Sequence, residues 1–245
     1  MAEARTVASF LGVDLGWYGK PAGLAWLVWD GERLRQRESA RLQGEDAIAR
    51  WIAERAGDGP AAAGVDAPIE IRNESGTRLA EKELNRDFRR YHAGCHAANL
   101  GLPFAGNVLS FSKRLSDLGF AHGGETAPRP EGRFQIEVHP HAASVSLFGL
   151  GRILKYKRGR RAGRDAGLRA LAGLLRTRLP SLDPPFEPEL PEIPASGPLK
   201  PAEDRIDAVL CAYIAAHWWW WGSERNRVYG AVGEGRIVVP AGPSR

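Results

Sequence analysis

Strand-like apolar segments open this chain, and their order limits the folds that it can adopt. The segments Thr6–Asp14 and Gly23–Trp29 are mostly apolar and read as β-strands. The pair Asp30-Gly31 favours a tight hairpin turn that leads to a third strand at Glu32–Glu38. The sequence therefore predicts that a hairpin of three strands forms the first part of a sheet.

Helical and strand-like segments alternate after this hairpin. The predicted elements are helix Glu45–Arg55, strand Ala61–Asp66, helix Thr77–Tyr91, strand Phe134–Val138, helix Glu203–Trp221 and strand Gly235–Pro240. Gly- and Pro-rich loops are expected between Gly101 and Pro130. This order is typical of an α/β protein with one mixed sheet and helices on its faces. We interpret residues 1–245 as a single domain, for which 43% hydrophobic residues supply ample core material.

Two neighbouring segments depart from this pattern in composition. Arg152–Arg169 contains eight lysines and arginines and a single acid, Asp165. Pro180–Pro201 contains eight of the 17 prolines in the chain, which disfavours a regular helix and indicates an extended connector. We interpret residues 152–201 as a basic and then proline-rich insertion, whose proline-rich part crosses the surface and does not mark a boundary between domains.

General features of the sequence indicate a cytoplasmic protein. No apolar segment approaches the roughly 20 residues that span a bilayer, and the N-terminus lacks a signal-peptide pattern. Two cysteines cannot form a disulfide framework and are expected to be reduced. The net charge of +5 is compatible with a nucleic-acid or phosphate partner but does not require one.

Carboxylates stand where predicted strands and helices begin or end. Asp14 and Asp66 close their strands, Glu137 lies near the end of its strand, and Asp204 and Asp207 share one face of a helix. An acid at the end of an apolar strand is costly unless it is solvated, paired or metal-bound. Taken singly, each acid is also explained as a turn former or a helix-start residue. Taken together, they suggest a site for Mg²⁺ or Mn²⁺, and two such ions about 4 Å apart can cleave phosphodiesters.

Several motifs in this order resemble a known family. They are GVDLGWYGKPAGLAWL, GVDAPIEI with Arg78 downstream, IEVHPHAA, DRIDAVLCAYIAA and the final GRIVVP. The chain is similar, from Val7 to Pro240, to the uncharacterised family of predicted RNase H-like nucleases known as domain-of-unknown-function family 429. Two features depart from the family pattern. Residues 156–201 are not family-typical, and His139 stands where the family often has an aromatic residue.

The resemblance implies an RNase H-like fold and metal ligation by acids. Asp14 matches the acid of the first strand and Asp66 that of the central strand. Asp207 matches the acid of the C-terminal helix, and Asp204 lies one turn before it. Glu137 matches a family acid without a firm counterpart in better-known nucleases. In that family the nuclease activity is itself inferred from fold, and fold alone does not establish function.

Three further features bear on partners. Lys155 and Lys157 are the expected phosphate contacts of the basic segment, although a solvated helix face explains its charge equally simply. Arg78 could hold a phosphate in a forked contact or pair with an acid of the site. For Trp218–Trp221 we favour core packing with a homodimer contact over base stacking. Four consecutive helical residues point in all directions, so at least one should be exposed unless a partner covers it.

The leading hypothesis from the sequence is a metal-dependent nuclease or phosphodiesterase with water as the nucleophile. Asp14, Asp66 and Asp207 would hold Mg²⁺ or Mn²⁺, with Glu137 and Asp204 in support, and the substrate would be DNA or RNA. The alternative is a non-catalytic nucleic-acid-binding or assembly protein on the same fold. A hydrolase of small phosphate compounds is a third option, and it would not need the basic segment.

Overall fold

A mixed α/β architecture is present in the computed structural model, which describes residues 7–123 and 127–242. The strands are β1 (Ala8–Asp14), β2 (Ala22–Trp29), β3 (Leu34–Leu42), β4 (Ala61–Val65), β5 (Ala121–His122), β6 (Arg133–Val138), β7 (Asn226–Ala231) and β8 (Gly235–Pro240). The helices are α1 (Glu45–Ala56), α2 (Leu79–Phe88), α3 (Ala105–Asp117), α4 (Pro140–Phe148), α5 (Arg161–Arg178) and α6 (Lys200–Trp221). One eight-stranded sheet flanked by helices confirms the predicted fold class and is consistent with an RNase H-like arrangement.

The strand directions decide where the acids meet. The sheet order is β3-β2-β1-β4-β6-β8-β7, with β5 paired to β6. The pairs β3-β2, β2-β1 and β8-β7 are antiparallel, whereas β1, β4, β6 and β8 run parallel to one another. The carboxyl ends of β1, β4 and β6 therefore lie at one edge of the sheet, and this edge carries Asp14, Asp66 and Glu137.

Each face of the sheet is covered by its own set of helices. Side chains alternate along a strand, so Phe10 faces α6 and packs on Trp219 with ring centroids 5.3 Å apart. The next residue, Leu11, belongs to the opposite core with α1 and α3. Helices α4, α5 and α6 contribute to the core on the Phe10 face. Helix α2 packs near β7 and β8 at the end of the sheet.

Three glycines let α6 lie directly against the sheet. A Cβ atom at Gly12 would overlap the carbonyl oxygen of Ala208, and one at Gly64 would overlap the carbonyl oxygen of Cys211. A Cβ atom at Gly23 would likewise overlap the carbonyl oxygen of Asp204, near the N-terminal end of α6. This close approach of backbone to backbone brings the carboxylate of Asp207 in α6 to the ends of β1 and β4.

Substituting alanine for Gly12 is expected to lower the free energy of unfolding by about 2–3 kcal/mol, because α6 must move off β1. Chemical denaturation of the purified variant measures the change. The matched control is Gly163→Ala in α5, where an added Cβ meets nothing within 4 Å. That control should be neutral or stabilising by up to about 1 kcal/mol. An equal effect of the two substitutions would contradict the close-packing explanation.

The structure corrects several sequence predictions. Residues expected to form loops contain helix α3, whose Val108, Phe111 and Leu115 are fully buried. Helix α4 and strand β7 were not predicted. The proline-rich segment does not merely cross the surface, because Phe186 is buried and bridges to Leu34 of β3.

The tryptophan run has partners within its own chain. Trp218 and Trp219 are each 1% exposed, and Trp220 and Trp221 are half-buried. The guanidinium of Arg129 lies 3.8 Å from the ring centroid of Trp220, and another arginine covers the ring of Trp221. Contacts within the chain therefore cover the rings that the sequence predicts to be exposed or covered by a partner. The homodimer contact stays a prediction.

Both cysteines are free thiols, as expected, with Cys211 buried in α6 and Cys95 half-buried. Within the described residues, the helices are too short or too polar to cross a lipid bilayer.

Candidate functional site

A cavity of about 970 Å³ opens at the edge of the sheet where the parallel strands end. Asp14, Asp66 and Glu137 line it, together with residues of the loop between α4 and α5. Ligands of open α/β sheets commonly bind in this position, outside the carboxyl ends of the strands. The strand ends and the start of α6 therefore supply a concave site with polar groups.

Three of the predicted acids surround the ammonium group of Lys157. The Lys157 Nζ atom lies 2.9 Å from Asp207 Oδ2. It also lies 3.7 Å from Asp66 Oδ2 and 3.9 Å from Asp14 Oδ1. The hydroxyl of Tyr156 donates a hydrogen bond of 2.8 Å to the other oxygen of Asp207. The structure thus brings together acids from β1, from the residue after β4, and from α6.

Burial makes these carboxylates electrostatically costly. Burial raises the pKa of Asp14 well above its usual range, and the charges of Asp207 and Asp66 raise it further, against the opposing effect of Lys157. Burial likewise raises the pKa of Asp66. For Lys157, burial opposes the charged form, but the surrounding carboxylates raise its pKa well above the ordinary value. The surrounding acids therefore favour the protonated form of Lys157, while burial and mutual repulsion disfavour the ionised forms of Asp14 and Asp66.

The donor chemistry of this cluster fits Mg²⁺ or Mn²⁺, which prefer carboxylate oxygens. Within the described residues, however, no three His, Cys, Asp or Glu side chains are already arranged to share one metal ion. The position between Asp14, Asp66 and Asp207 is held by the Lys157 ammonium. These residues fit a divalent cation in kind, and Lys157 must swing away for an ion to take that position.

Asp204 lies near this cluster but forms ion pairs with other cations. It is 1% exposed and accepts from Arg41 Nε at 2.8 Å. The Lys200 Nζ atom lies 2.5 Å from its second oxygen. The structure therefore places Asp204 on the cavity wall beside the three acids, with its charge already compensated by Arg41 and Lys200.

Glu137 points to the other face of the sheet. It pairs in register with Val65, so alternation places it opposite to Asp66. Arg78 donates to both Glu137 oxygens at 2.9 and 2.6 Å. Burial raises the pKa of Glu137 to about 8, against the charge and hydrogen bonds of Arg78. Glu137 is thus held by a buried arginine instead of contacting Lys157.

Arg78 is 4% exposed, and its donors face protein acceptors. Besides Glu137, it donates through Nε to Glu81 at 2.6 Å and through Nη1 to the Glu70 carbonyl at 2.6 Å. Burial opposes its charged form, but Glu137 and Glu81 raise its pKa above the ordinary value. Of the two roles that the sequence left open, the structure shows pairing with an acid of the site, and the predicted phosphate contact is untested.

Basic side chains also line the cavity. Lys155 and Arg158 are exposed on its loop wall, and Lys20 and Lys200 stand on other walls. Lys155 is thus available at the surface, whereas Lys157, predicted with it as a phosphate contact, lies among the carboxylates. Sequence reasoning missed the hydroxyl of Tyr156 on Asp207, because an irregular loop has no periodicity from which its side-chain directions can be predicted.

Comparison with known proteins identifies the family of the chain. Residues 12–232 match the family described as "Protein of unknown function (DUF429)", and the chain belongs to that family. No curated protein matches the chain. The matched range contains every residue of the acidic cluster and the glycines that bring α6 to the sheet.

Proposed function

We propose that this member of the DUF429 family is a divalent-metal-dependent phosphodiester hydrolase of RNase H-like type that acts on nucleic acid. The observation that carries the proposal is the convergence of Asp14, Asp66 and Asp207 on one cation position at a large cavity. Lysines on the cavity walls support a polyanionic substrate. Mg²⁺ or Mn²⁺ is the proposed cofactor.

The three acids would hold the metal, which supplies activation of water and stabilisation of charge on the phosphate oxygens. Tyr156 fixes the orientation of Asp207 through its hydrogen bond, which limits the side-chain freedom of a fully buried acid. Lys157, once displaced from the carboxylates, can donate to a substrate phosphate within the same cavity. Lys155 at the exposed rim would orient the neighbouring backbone.

Glu137 and Asp204 have supporting roles in this proposal. Arg78 neutralises Glu137, and Arg41 and Lys200 neutralise Asp204. These ion pairs would hold Glu137 and Asp204 in place on the cavity wall while the three central acids meet the ion.

Calorimetric titration with Mn²⁺ tests the cation position directly. We expect wild type to bind, Asp66→Asn to weaken binding at least about tenfold, and Lys157→Met to tighten it. The two substitutions change the Mn²⁺ affinity in opposite directions, because Asp66→Asn removes a ligand and Lys157→Met removes a competing positive charge. Asp58→Asn, at an exposed loop, is the matched control and should bind like wild type. Absence of binding in all four proteins would contradict the metal site.

A non-catalytic nucleic-acid-binding or assembly protein is the second candidate. The observation that favours it is Lys157, which partly neutralises the carboxylates without any metal. In that case the Mn²⁺ titration gives no binding in wild type, while a nucleic acid still binds the basic walls. A homodimer contact, proposed from the tryptophan run, would use the half-buried Trp220 and Trp221. A cytoplasmic location remains part of the proposal.

A further inference from the structure

A second concave surface contains four arginines. It is a cleft of about 900 Å³ bordered by α2, the end of α4, the end of α5 and β7. We call it the arginine cleft, after Arg86, Arg90, Arg178 and Arg227 on its walls. None of these residues belongs to the basic segment 152–169 or to the acidic cluster.

Positive charge is in excess in the arginine cleft. Asp87 is the one carboxylate on its described walls, and it lies 3.2 Å from Arg86 Nε and 4.0 Å from Arg227 Nη1. Arg90 lies over the ring of Tyr91 and donates to its hydroxyl, and among residues 7–123 and 127–242 it forms no ion pair with a carboxylate. Within the described part of the chain, the Arg178 side chain makes no hydrogen bond or ion pair. The four guanidinium groups on the described walls therefore outnumber the one carboxylate, and the resulting positive charge favours an anion in the cleft.

The arginine cleft adjoins the cavity of the acidic cluster. Tyr91 and Gly151 line the cleft, whereas the neighbouring His92 and Ile153 line the cavity. The two short segments are joined by a hydrogen bond of 3.0 Å from the Ile153 backbone N–H to the Tyr91 carbonyl. They form a common rim between the two concave surfaces.

The common rim is itself basic. Arg152 is exposed there, with Nη2 3.4 Å from the Nδ1 atom of His92. A polyanion that leaves the cavity over this rim meets positive charge on both sides of it.

We propose that the arginine cleft holds the continuation of a polynucleotide strand whose scissile phosphate lies at the acidic cluster. The inference rests on the proposed function and narrows it, because it makes the substrate a polynucleotide and not a mononucleotide or a small phosphodiester. Guanidinium groups suit this role because each can bind a backbone phosphate through two parallel N–H donors. Spaced arginines along a cleft bind successive phosphates without reading base sequence.

Fluorescence anisotropy of labelled oligonucleotides tests this path, with EDTA present so that cleavage does not interfere. The probes are single-stranded DNA and RNA of about 4 and about 16 nucleotides. For Arg178→Ala/Arg227→Ala, we expect the affinity for the long probes to fall at least about tenfold more than that for the short probes. The dependence of log affinity on log salt should also become shallower by about 1.4, since two phosphate contacts are lost.

The matched control is Arg37→Ala/Arg50→Ala, which removes the same charge from exposed positions on β3 and α1 outside both concave surfaces. It should bind both probe lengths like wild type. Equal losses for short and long probes, or equal losses in control and cleft variants, would overturn the inference.

A separate assay distinguishes this inference from the proposed function. The substrate is bis(4-nitrophenyl) phosphate, which is too small to reach the cleft. Its Mn²⁺-dependent hydrolysis by wild type would therefore depend on the acidic cluster alone. Hydrolysis together with equal losses for the two probe lengths would overturn the cleft and retain the activity. A length-dependent loss without hydrolysis would retain the cleft as a nucleic-acid surface and overturn the activity.

Discussion

Asp14→Asn is expected to abolish the proposed metal-dependent phosphodiester hydrolysis while making the metal-free protein more stable. Loss of one of the three carboxylates proposed to hold the metal should cost several kcal/mol of transition-state stabilisation, which is about a thousandfold or more in rate. The stability gain has a different origin. Burial raises the pKa of Asp14, and Asp207 and Asp66 add to the shift, so its ionised form is disfavoured in the folded state.

The sign of the stability effect follows from linkage. An acid whose pKa is raised on folding costs stability once the pH exceeds its ordinary value of 3.8, and the cost is complete above the raised value. Asparagine has almost the same shape and no charge, so it removes this cost at neutral pH. We expect the free energy of unfolding in EDTA to rise by about 1–2 kcal/mol, measured by denaturant titration at pH 7.

The same substitution at Asp30 is the matched control. The hydrogen bond from Arg35 and those from two backbone N–H groups lower the pKa of Asp30, so its carboxylate stabilises the folded state. Asp30→Asn should therefore lower the free energy of unfolding and leave hydrolysis intact. If Asp14→Asn were as destabilising as Asp30→Asn and retained activity, the acidic cluster would have a structural and not a catalytic role.

The acids of the site were predictable because each interrupts or ends an apolar segment, where a charge is unexpected. Asp14 and Asp66 could be placed at one edge of the sheet once β1 and β4 were taken as neighbouring parallel strands. Their proximity to Asp207 was not predictable, because it depends on the absence of side chains at Gly12 and Gly64, which lie far from α6 in sequence. A glycine within a strand signals close approach of another backbone, but it does not say which one.

Glu137 shows why a set of acids in sequence is not yet a site. Its position in β6 differs by one residue in register from that of Asp66 at the end of β4, and one residue reverses the face of the sheet. The position of Lys157 among the acids was also not predictable from the sequence. A lysine in a basic loop is expected to face solvent or phosphate, and only the folded chain shows that it lies between three carboxylates.

Some helices and strands were predicted from the sequence and others were not. Helix α6 was found nearly complete because its long apolar sequence has no other interpretation, and strand β8 was predicted at its observed bounds. Helix α4 is buried on almost every side, so it lacks the polar face that makes a helical period visible. Helix α3 has that period, but glycines and a proline at its start led to the prediction of a loop.

Arg78→Met is expected to lower the free energy of unfolding by about 3–5 kcal/mol, because it leaves the carboxylates of Glu137 and Glu81 buried without their cation. Methionine fills a similar volume, so the loss reports charge and hydrogen bonding more than packing. Arg78 contacts Glu137, Glu81 and the Glu70 carbonyl. Arg78→Lys should restore little of the lost stability, since one ammonium group cannot match this forked geometry.

Thermal and denaturant unfolding of Arg78→Met beside Arg72→Met measure the effect of this buried pair. Arg72 is the matched control because its side chain is 72% exposed, and its loss should change stability by no more than about 0.5 kcal/mol. Adding Glu137→Gln to Arg78→Met should restore part of the lost stability, since it removes one of the two uncompensated charges. If the double variant were less stable than Arg78→Met by the full cost of a second independent substitution, Arg78 would stabilise the fold by packing and not by neutralising Glu137.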